Sequence, residues 1–272
     1  VQPEGGQLPL LVGTSGWQYR DWRGGFYPAG VPVSRWLEYY TERFGVVEND
    51  GTFYRLAGRD TFANWREQTP AGFVMAIKAS RFLTHIRRLR EPAEPVARLL
   101  GAAGGLGNRL GPVLLQLPPT LQANPAALAD CLNQFATEFA RTDAAASGGG
   151  RVCVEFRHPS WLTDDIKSIL THHNAALCWS DRGARPLGPL WRTADWGYVR
   201  FHEGAARPWP RYGQQSLKSW LKRISDAFPP EADVFAFFNN DQHCAAPHDA
   251  AALAHLAERS GWPAPHPAPA SG

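Results

Sequence analysis

Eight short apolar runs, each of strand length, are spread along the chain with a helix-sized segment between most neighbours, and this alternation restricts the fold more than any other feature of the sequence. The runs are Leu10–Gly13, Val46–Glu48, Phe73–Lys78, Val113–Leu117, Val152–Phe156, Ala175–Ser180, Tyr198–His202 and Val234–Phe238. Between them, Ser34–Phe44, Asp60–Gln68, Asn124–Arg141 and Ser160–His172 each open on a residue whose side-chain oxygen can cap a helix, the third with proline at its first helical position. Glu94–Ala102, Ser216–Phe228 and Pro247–Arg259 continue the series. Strand then helix, repeated in this way, predicts parallel βαβ units. At 272 residues and 44% hydrophobic content the chain has the size of one such domain. The expected fold class is α/β, a single (β/α)8 TIM-type barrel over residues 1–262, with a doubly wound open sheet as the alternative. The connection after the sixth run, Arg182–Trp196, contains Pro186 and Pro189 and is expected to be irregular. Gly101–Gly107 and Ala144–Gly150 read as surface connections, and the Pro/Ala-rich residues 263–272 as a flexible tail.

Composition removes several function classes. A formal net charge of +3 is far from the strongly basic face of a dedicated nucleic-acid binder, so only local clustering argues for polyanions. The cysteines Cys131, Cys153, Cys178 and Cys244 show neither a CxxC pair nor dense spacing, which argues against a zinc finger or disulfide scaffold and for reduced thiols in a cytoplasmic protein. No segment approaches the roughly 18 apolar residues of a membrane span. No membrane partner is expected.

Polar chemistry gathers at the ends of the runs. Thr14 and Ser15 follow the first, Glu48 and Asp50 the second, Lys78 the third, and Gln116 lies near the end of the fourth. Glu155, Arg157 and His158 close the fifth, Asp181 the sixth, Arg200 and His202 the seventh, and Asn239 with Asn240 the eighth. In a parallel α/β fold the carboxyl ends of strands are where sites are built.

The segments GTSGWQYRDW (13–22), VENDGTFYRL (47–56), LLQLPP (114–119), EFRHPSW (155–161), VRFHEG (199–204) and FFNND (237–241) resemble the YecE-like family, domain of unknown function 72, in order and over nearly the whole chain. The resemblance implies a barrel and no assigned activity. Two positions depart from the family pattern: Asp50 stands where Asn is usual, and Glu203 where Gly is usual.

Glu48, Glu155, Asp181 and His202 are the candidate catalytic groups, since paired carboxylates with separated pKa values serve as acid and base. Glu48 and Glu155 are equally read as partners of Lys78, Arg157 or Arg200 inside the fold. Lys78, His85, Arg157, His158 and Arg200 favour a small anionic ligand such as phosphate or carboxylate, with Ser15, Trp17, Tyr19, Asp50, Tyr54, Gln116, Asn239 and Asn240 completing the candidate substrate-binding set. His158 before Pro159 and Ser160 has the alternative of shaping the start of the next helix. The aromatic residues Trp17, Tyr19, Trp22, Phe26 and Tyr27, with Phe53 and Tyr54, either stack on a ligand or pack as a cover. No cofactor is expected. A divalent metal has weak support, since no HExxH and no three-histidine cluster occurs. Gly13-Thr14-Ser15-Gly16 lacks the Walker and GxGxxG patterns. Three readings follow: an enzyme doing acid/base chemistry on a phosphorylated or carboxylated, sugar-like substrate; a nucleic-acid binding or processing protein using Arg87, Arg88 and Arg90 of the stretch Arg81–Arg90 with the first-loop aromatics; and a non-catalytic ligand-binding protein. The sequence leaves the oligomeric state unknown.

Overall fold

The computed structural model describes residues 10–141 and 150–263. Most of the segment 144–150 and of the tail 263–272 therefore lies outside the described residues. The strands are β1 (Leu10–Thr14), β2 (Val46–Asn49), β3 (Val74–Lys78), β4 (Leu110–Gln116), β5 (Val152–Glu155), β6 (Ala176–Leu177), β7 (Trp179–Arg182), β8 (Arg185–Pro186), β9 (Gly197–Phe201) and β10 (Val234–Phe238). The helices are α1 (Trp36–Thr41), α2 (Gly51–Tyr54), α3 (Arg59–Glu67), α4 (Ala93–Ala103), α5 (Pro125–Ala140), α6 (Asp164–His172), α7 (Gln214–Ala227) and α8 (Ala245–Arg259). Asn124 caps α5 by accepting from the Ala127 amide at 3.0 Å, with Pro125 at the first position, as the sequence predicts. Helix α6 starts later than expected because Thr163, not Ser160, caps it. Ser160 is spent elsewhere, accepting from the Ala123 amide at 2.8 Å.

The closed single eight-stranded barrel expected from the alternation does not form. The strands divide into two five-stranded sheets, ordered β2-β3-β4-β5-β6 and β1-β10-β9-β7-β8, parallel throughout except for the antiparallel β7–β8 pair. At both seams a side-chain hydroxyl takes the backbone groups that a further ladder would need. Between β1 and β2 the Tyr40 hydroxyl accepts from the Thr14 amide at 2.9 Å and donates to the Val46 carbonyl at 3.1 Å. There Gly13 lies so close to β2 that a Cβ would fall 2.2 Å from the Val46 oxygen. A single bridge, Ser15 to Glu48, continues beyond it. At the other seam the Thr193 hydroxyl accepts from the Leu177 amide at 2.8 Å and donates to the Ala175 carbonyl at 2.7 Å. The sixth apolar run accordingly splits at Cys178: its first half pairs with β5, its second with β9. The expected irregular connection turns back on itself through Gly183 and Ala184, both with φ near +60°, to give the β7–β8 hairpin.

One apolar cluster fills the space between helices and sheets; a second joins the inner faces of both sheets through Val46, Ala76, Leu114, Cys153, Tyr198 and Phe237. Side chains alternate along a strand, so the residue two positions on from each of these faces the same way. Those residues are Glu48, Lys78, Gln116, Glu155, Arg200 and Asn239. The polar layer is thus the next tier of the inner face, stacked directly on apolar side chains. Among the described residues no helix is long and apolar enough to cross a membrane.

Candidate functional site

Arg200 is the centre of the polar tier and is completely buried. Its Nε and Nη2 donate to Glu48 Oε1 at 3.1 and 2.7 Å, its Nη1 donates to Glu155 Oε2 at 2.8 Å, and Nη2 also lies 3.5 Å from both Ser15 Oγ and Asp50 Oδ2. Tyr198 donates its hydroxyl to the other oxygen of Glu48. Burial alone would raise the Glu48 pKa, but Arg200 and these donors hold it below the ordinary range. Glu48 and Arg200 satisfy each other out of solvent, both completely buried.

Glu155 differs because it forms the floor of a cleft of about 940 Å³. Five donors converge on it: Arg200 and Gln116 Nε2 (2.8 Å each) on Oε2, and Arg157 Nε (3.1 Å), Arg157 Nη2 (2.9 Å) and His202 Nε2 (3.0 Å) on Oε1. Burial would raise its pKa, yet Arg200, His202 and Arg157 together hold it well below the usual carboxylate range. A carboxylate with every lone pair occupied is a fixed anion that orients its neighbours. His202 Nδ1 lies 3.0 Å from the Asn239 amide nitrogen, and this donor places the imidazole proton on Nε2, facing Glu155.

The cleft walls carry groups that remain available. Among the described residues Arg157 Nη1 has no partner, and 40% of the side chain is exposed. His158 Nδ1 accepts from the Ser160 amide at 3.2 Å and lies 2.8 Å from its hydroxyl, so its proton sits on Nε2, which has no partner among the described residues. Ser160 thus serves His158 as well as the chain turn. Arg182 and Arg207 stand on the rim, the latter 3.3 Å from Glu203.

Asp181 lines the same cleft. Its Oδ1 accepts from the backbone amides of His202 (2.7 Å) and Glu203 (3.4 Å), and the Tyr212 hydroxyl reaches both oxygens at 2.7–2.8 Å. Burial pushes its pKa up to about 6 against the lowering effect of these donors. Asn240 turns away from the cleft: its amide donates to Asp249 at 2.8 Å and to the Pro210 carbonyl at 2.9 Å. Asp249 also accepts from the Tyr212 amide at 3.1 Å. Tyr198, Tyr212 and Asp249 escape sequence reasoning. The period-two pattern flags Tyr198, two residues before Arg200, whereas Tyr212 sits in a proline-rich stretch with no periodic signal.

A second, smaller cleft of about 340 Å³ is lined by Trp17, Tyr19, Asp50, Thr52, Tyr54 and Trp65, among others. Asp50 is 4.0 Å from Lys78 Nζ through Oδ1, an oxygen that is buried without a hydrogen-bond partner. Burial and the charge of Glu48 push the Asp50 pKa up to about 7 against Arg200 and Lys78. Tyr54 is 83% exposed at this rim. The other first-loop aromatics mostly build a cover: Trp22 and Tyr27 are fully buried, Tyr27 stacks on Trp36 with ring centres 4.4 Å apart, and Trp17 sets its edge against Trp65. Trp22 and Tyr27 are therefore packed into the core, whereas Trp17, Tyr19 and Tyr54 line the small cleft. His85 lies on the π-helical turn Phe82–Ile86, bonded to Thr84 at 2.9 Å and set edge-on to Phe53.

The residues expected to converge divide into three groups. Glu155, Arg157, His158, Asp181, His202 and Asn239 share the large cleft. Trp17, Tyr19, Asp50 and Tyr54 line the small one. Ser15, Glu48, Lys78, Gln116 and Arg200 form the tier between them; His85 lies at its edge, and Asn240 points away.

The sequence pattern of the family described as "Protein of unknown function DUF72" matches residues 11–271. The UPF0759 protein YunF of Bacillus subtilis (strain 168) is 24% identical over 265 residues, covering 85% of this chain and 89% of its own length. Crystal structures of DUF72 proteins superpose on most of the fold. One from Thermotoga maritima gives a TM-score of 0.73 at 23% identity, with 92% of this chain and 99% of the other covered. One from Enterococcus faecalis gives 0.72 at 16% identity, covering 92% and 95%. The YecE-like resemblance read from the motifs points to this same family.

Proposed function

We propose that this chain, which belongs to the DUF72 family, binds a small anionic, phosphorylated or carboxylated sugar-like molecule in its large cleft and moves a proton on it. The observation that carries this reading is the pair of donors on consecutive residues, Arg157 Nη1 and His158 Nε2, that have no partner among the described residues and stand on the wall of a cleft whose buried carboxyl, Asp181, has its pKa pushed up to about 6. An anion is held by such donors at about 1.5–3 kcal/mol per charged hydrogen bond. A carboxyl titrating near neutrality can both take and return a proton, which is what acid/base catalysis asks of it. Glu155 in this scheme stays ionised and holds Arg157 and His202 in place. Glu48 and Arg200 stiffen that frame from below.

The test has two readouts. Inorganic phosphate, followed by phosphorylated and carboxylated sugars, is titrated into the full chain by calorimetry, with Arg157→Gln expected to weaken binding by about tenfold or more. The same compounds are then incubated with the protein in D2O, and deuterium uptake at carbon is followed by NMR; Asp181→Asn is expected to abolish it. Phosphate affinity weaker than about 10 mM, unchanged by Arg157→Gln, would overturn the anion assignment. Exchange that persists in Asp181→Asn would remove the role given to that carboxyl.

A further inference from the structure

Lys78 stands apart from every other cation in the chain. Arginines carry almost all the basic chemistry; the lysines are Lys78, Lys167, Lys218 and Lys222, and only Lys78 is buried, at 8% exposure. At the end of β3 its Nζ makes no hydrogen bond among the described residues. It lies 4.5 Å from the centre of the Phe53 ring and 4.0 Å from Asp50 Oδ1, itself a buried oxygen without a partner. An amine and a carboxyl therefore face each other across a gap too wide for a hydrogen bond. An arginine at this position would hold a permanent charge; a lysine can release its proton.

We infer that Lys78 is a carbonyl-reactive amine, condensing with an aldehyde or ketone to form a Schiff base, with Asp50 as its proton partner. The lone pair of neutral Nζ attacks the carbonyl carbon and a C–N bond forms; the carbonyl oxygen takes the proton of the Asp50 carboxyl. Asp50 then takes a proton from the nitrogen and returns it to the hydroxyl, the C–O bond breaks, and one water leaves. The net change is amine, carbonyl and carboxylic acid to iminium, carboxylate and water, with no oxidant or reductant. The surroundings move both groups toward their uncharged forms: burial lowers the Lys78 pKa against Asp50, Arg200 beside it adds to the lowering, and Asp50 is raised. Desolvation with a neighbouring cation is how amine nucleophiles are activated. The iminium that forms keeps the Phe53 ring as its cation partner.

This goes beyond the cleft reading and does not depend on it. The full chain is treated at pH 7 with glycolaldehyde or pyruvate and sodium borohydride, and adducts at all lysines are mapped by peptide mass spectrometry. Lys167, Lys218 and Lys222 are exposed to solvent and serve as the internal reference. Lys78 is expected to carry the reduced adduct at least tenfold above Lys167, Lys218 or Lys222 in the same sample, and Asp50→Asn to slow its formation severalfold. Equal or lower labelling at Lys78, in protein that keeps its native circular dichroism, would overturn the inference. That result with phosphate binding intact sinks this proposal alone; selective trapping without phosphate binding sinks only the other. Lys78→Met removes the signal if it folds, and the internal comparison stands if it does not.

Discussion

Glu155→Gln is the most informative single change, because it alters one charge without altering shape. Arg200, Gln116, Arg157 and His202 all direct N–H groups at the two carboxylate oxygens. A glutamine must place its NH2 where one oxygen stood. It then meets either Arg200 and Gln116 or Arg157 and His202, donor against donor, while Arg200 keeps Glu48 at 2.7 Å and Asp50 at 3.5 Å as its anionic partners. Breaking one side of a buried ion pair costs about 3–5 kcal/mol. For a chain of this size each kcal/mol shifts Tm by about 2–4 °C, so a fall on the order of 10 °C is expected at pH 7. The pH dependence supplies an independent check. The folded pKa of Glu155 lies well below its ordinary value, so its contribution is present above the unfolded pKa of about 4.3 and is lost as pH falls through the folded pKa. Urea denaturation of both proteins from pH 7 downward should show the stability gap narrowing on the acid side. A gap under about 1 kcal/mol at pH 7, or one that widens in acid, would refute the description of Glu155 as the ionised hub of the tier.

Asp181 carries the opposite sign. Its pKa is raised to about 6, so the folded state binds a proton more tightly than the unfolded chain and stability declines as pH rises from about 4 to 6; Asp181→Asn should flatten that part of the profile in urea titrations, and an unchanged slope would count against it. Gly13→Ala tests the first seam: the added methyl would meet the Val46 carbonyl oxygen at 2.2 Å and Tyr40 Oη at 3.1 Å, so strand β1 must shift and a loss of about 2–4 kcal/mol is expected in the same assay, against near neutrality if the strands are free to separate.

The alternation of apolar runs and capped segments locates most strands to within a residue or two, and Val234–Phe238 is reproduced as read. Closure was not legible. Whether two neighbouring strands pair depends on who owns their amides and carbonyls, and here Tyr40 and Thr193 claim them from positions outside any strand pattern. The sixth run likewise reads as one strand, yet its halves pair with different sheets because Cys178 falls at the seam. For the site, counting from strand ends identifies the polar tier. It does not separate Glu48 from Glu155: both are acidic, strand-terminal and buried, and only the third dimension puts a cleft over one and Tyr198 against the other.

The composition of the tier has a physical consequence. Three carboxylates, Glu48, Asp50 and Glu155, meet three cations, Lys78, Arg157 and Arg200, in connected contact. Were all six rigidly paired, the cluster would be a neutral plug whose desolvation is offset only by good geometry. The pairing is uneven. Both oxygens of Glu48 and of Glu155 accept close donors, whereas Asp50 and Lys78 stand 4.0 Å apart and Asp50 Oδ1 has no hydrogen-bond partner among the described residues. The side chain at position 50 sets the balance. With Asn there Lys78 would lose its anionic neighbour and the tier would carry a net positive charge. With Asp, protonating the carboxyl while Lys78 keeps its proton makes the tier cationic, whereas the uncharged pair of amine and carboxylic acid leaves it neutral; the Asp50 pKa near 7 puts the carboxyl's change at neutral pH. The Glu48 and Glu155 half fixes where charges sit; the Asp50 and Lys78 half decides how many there are.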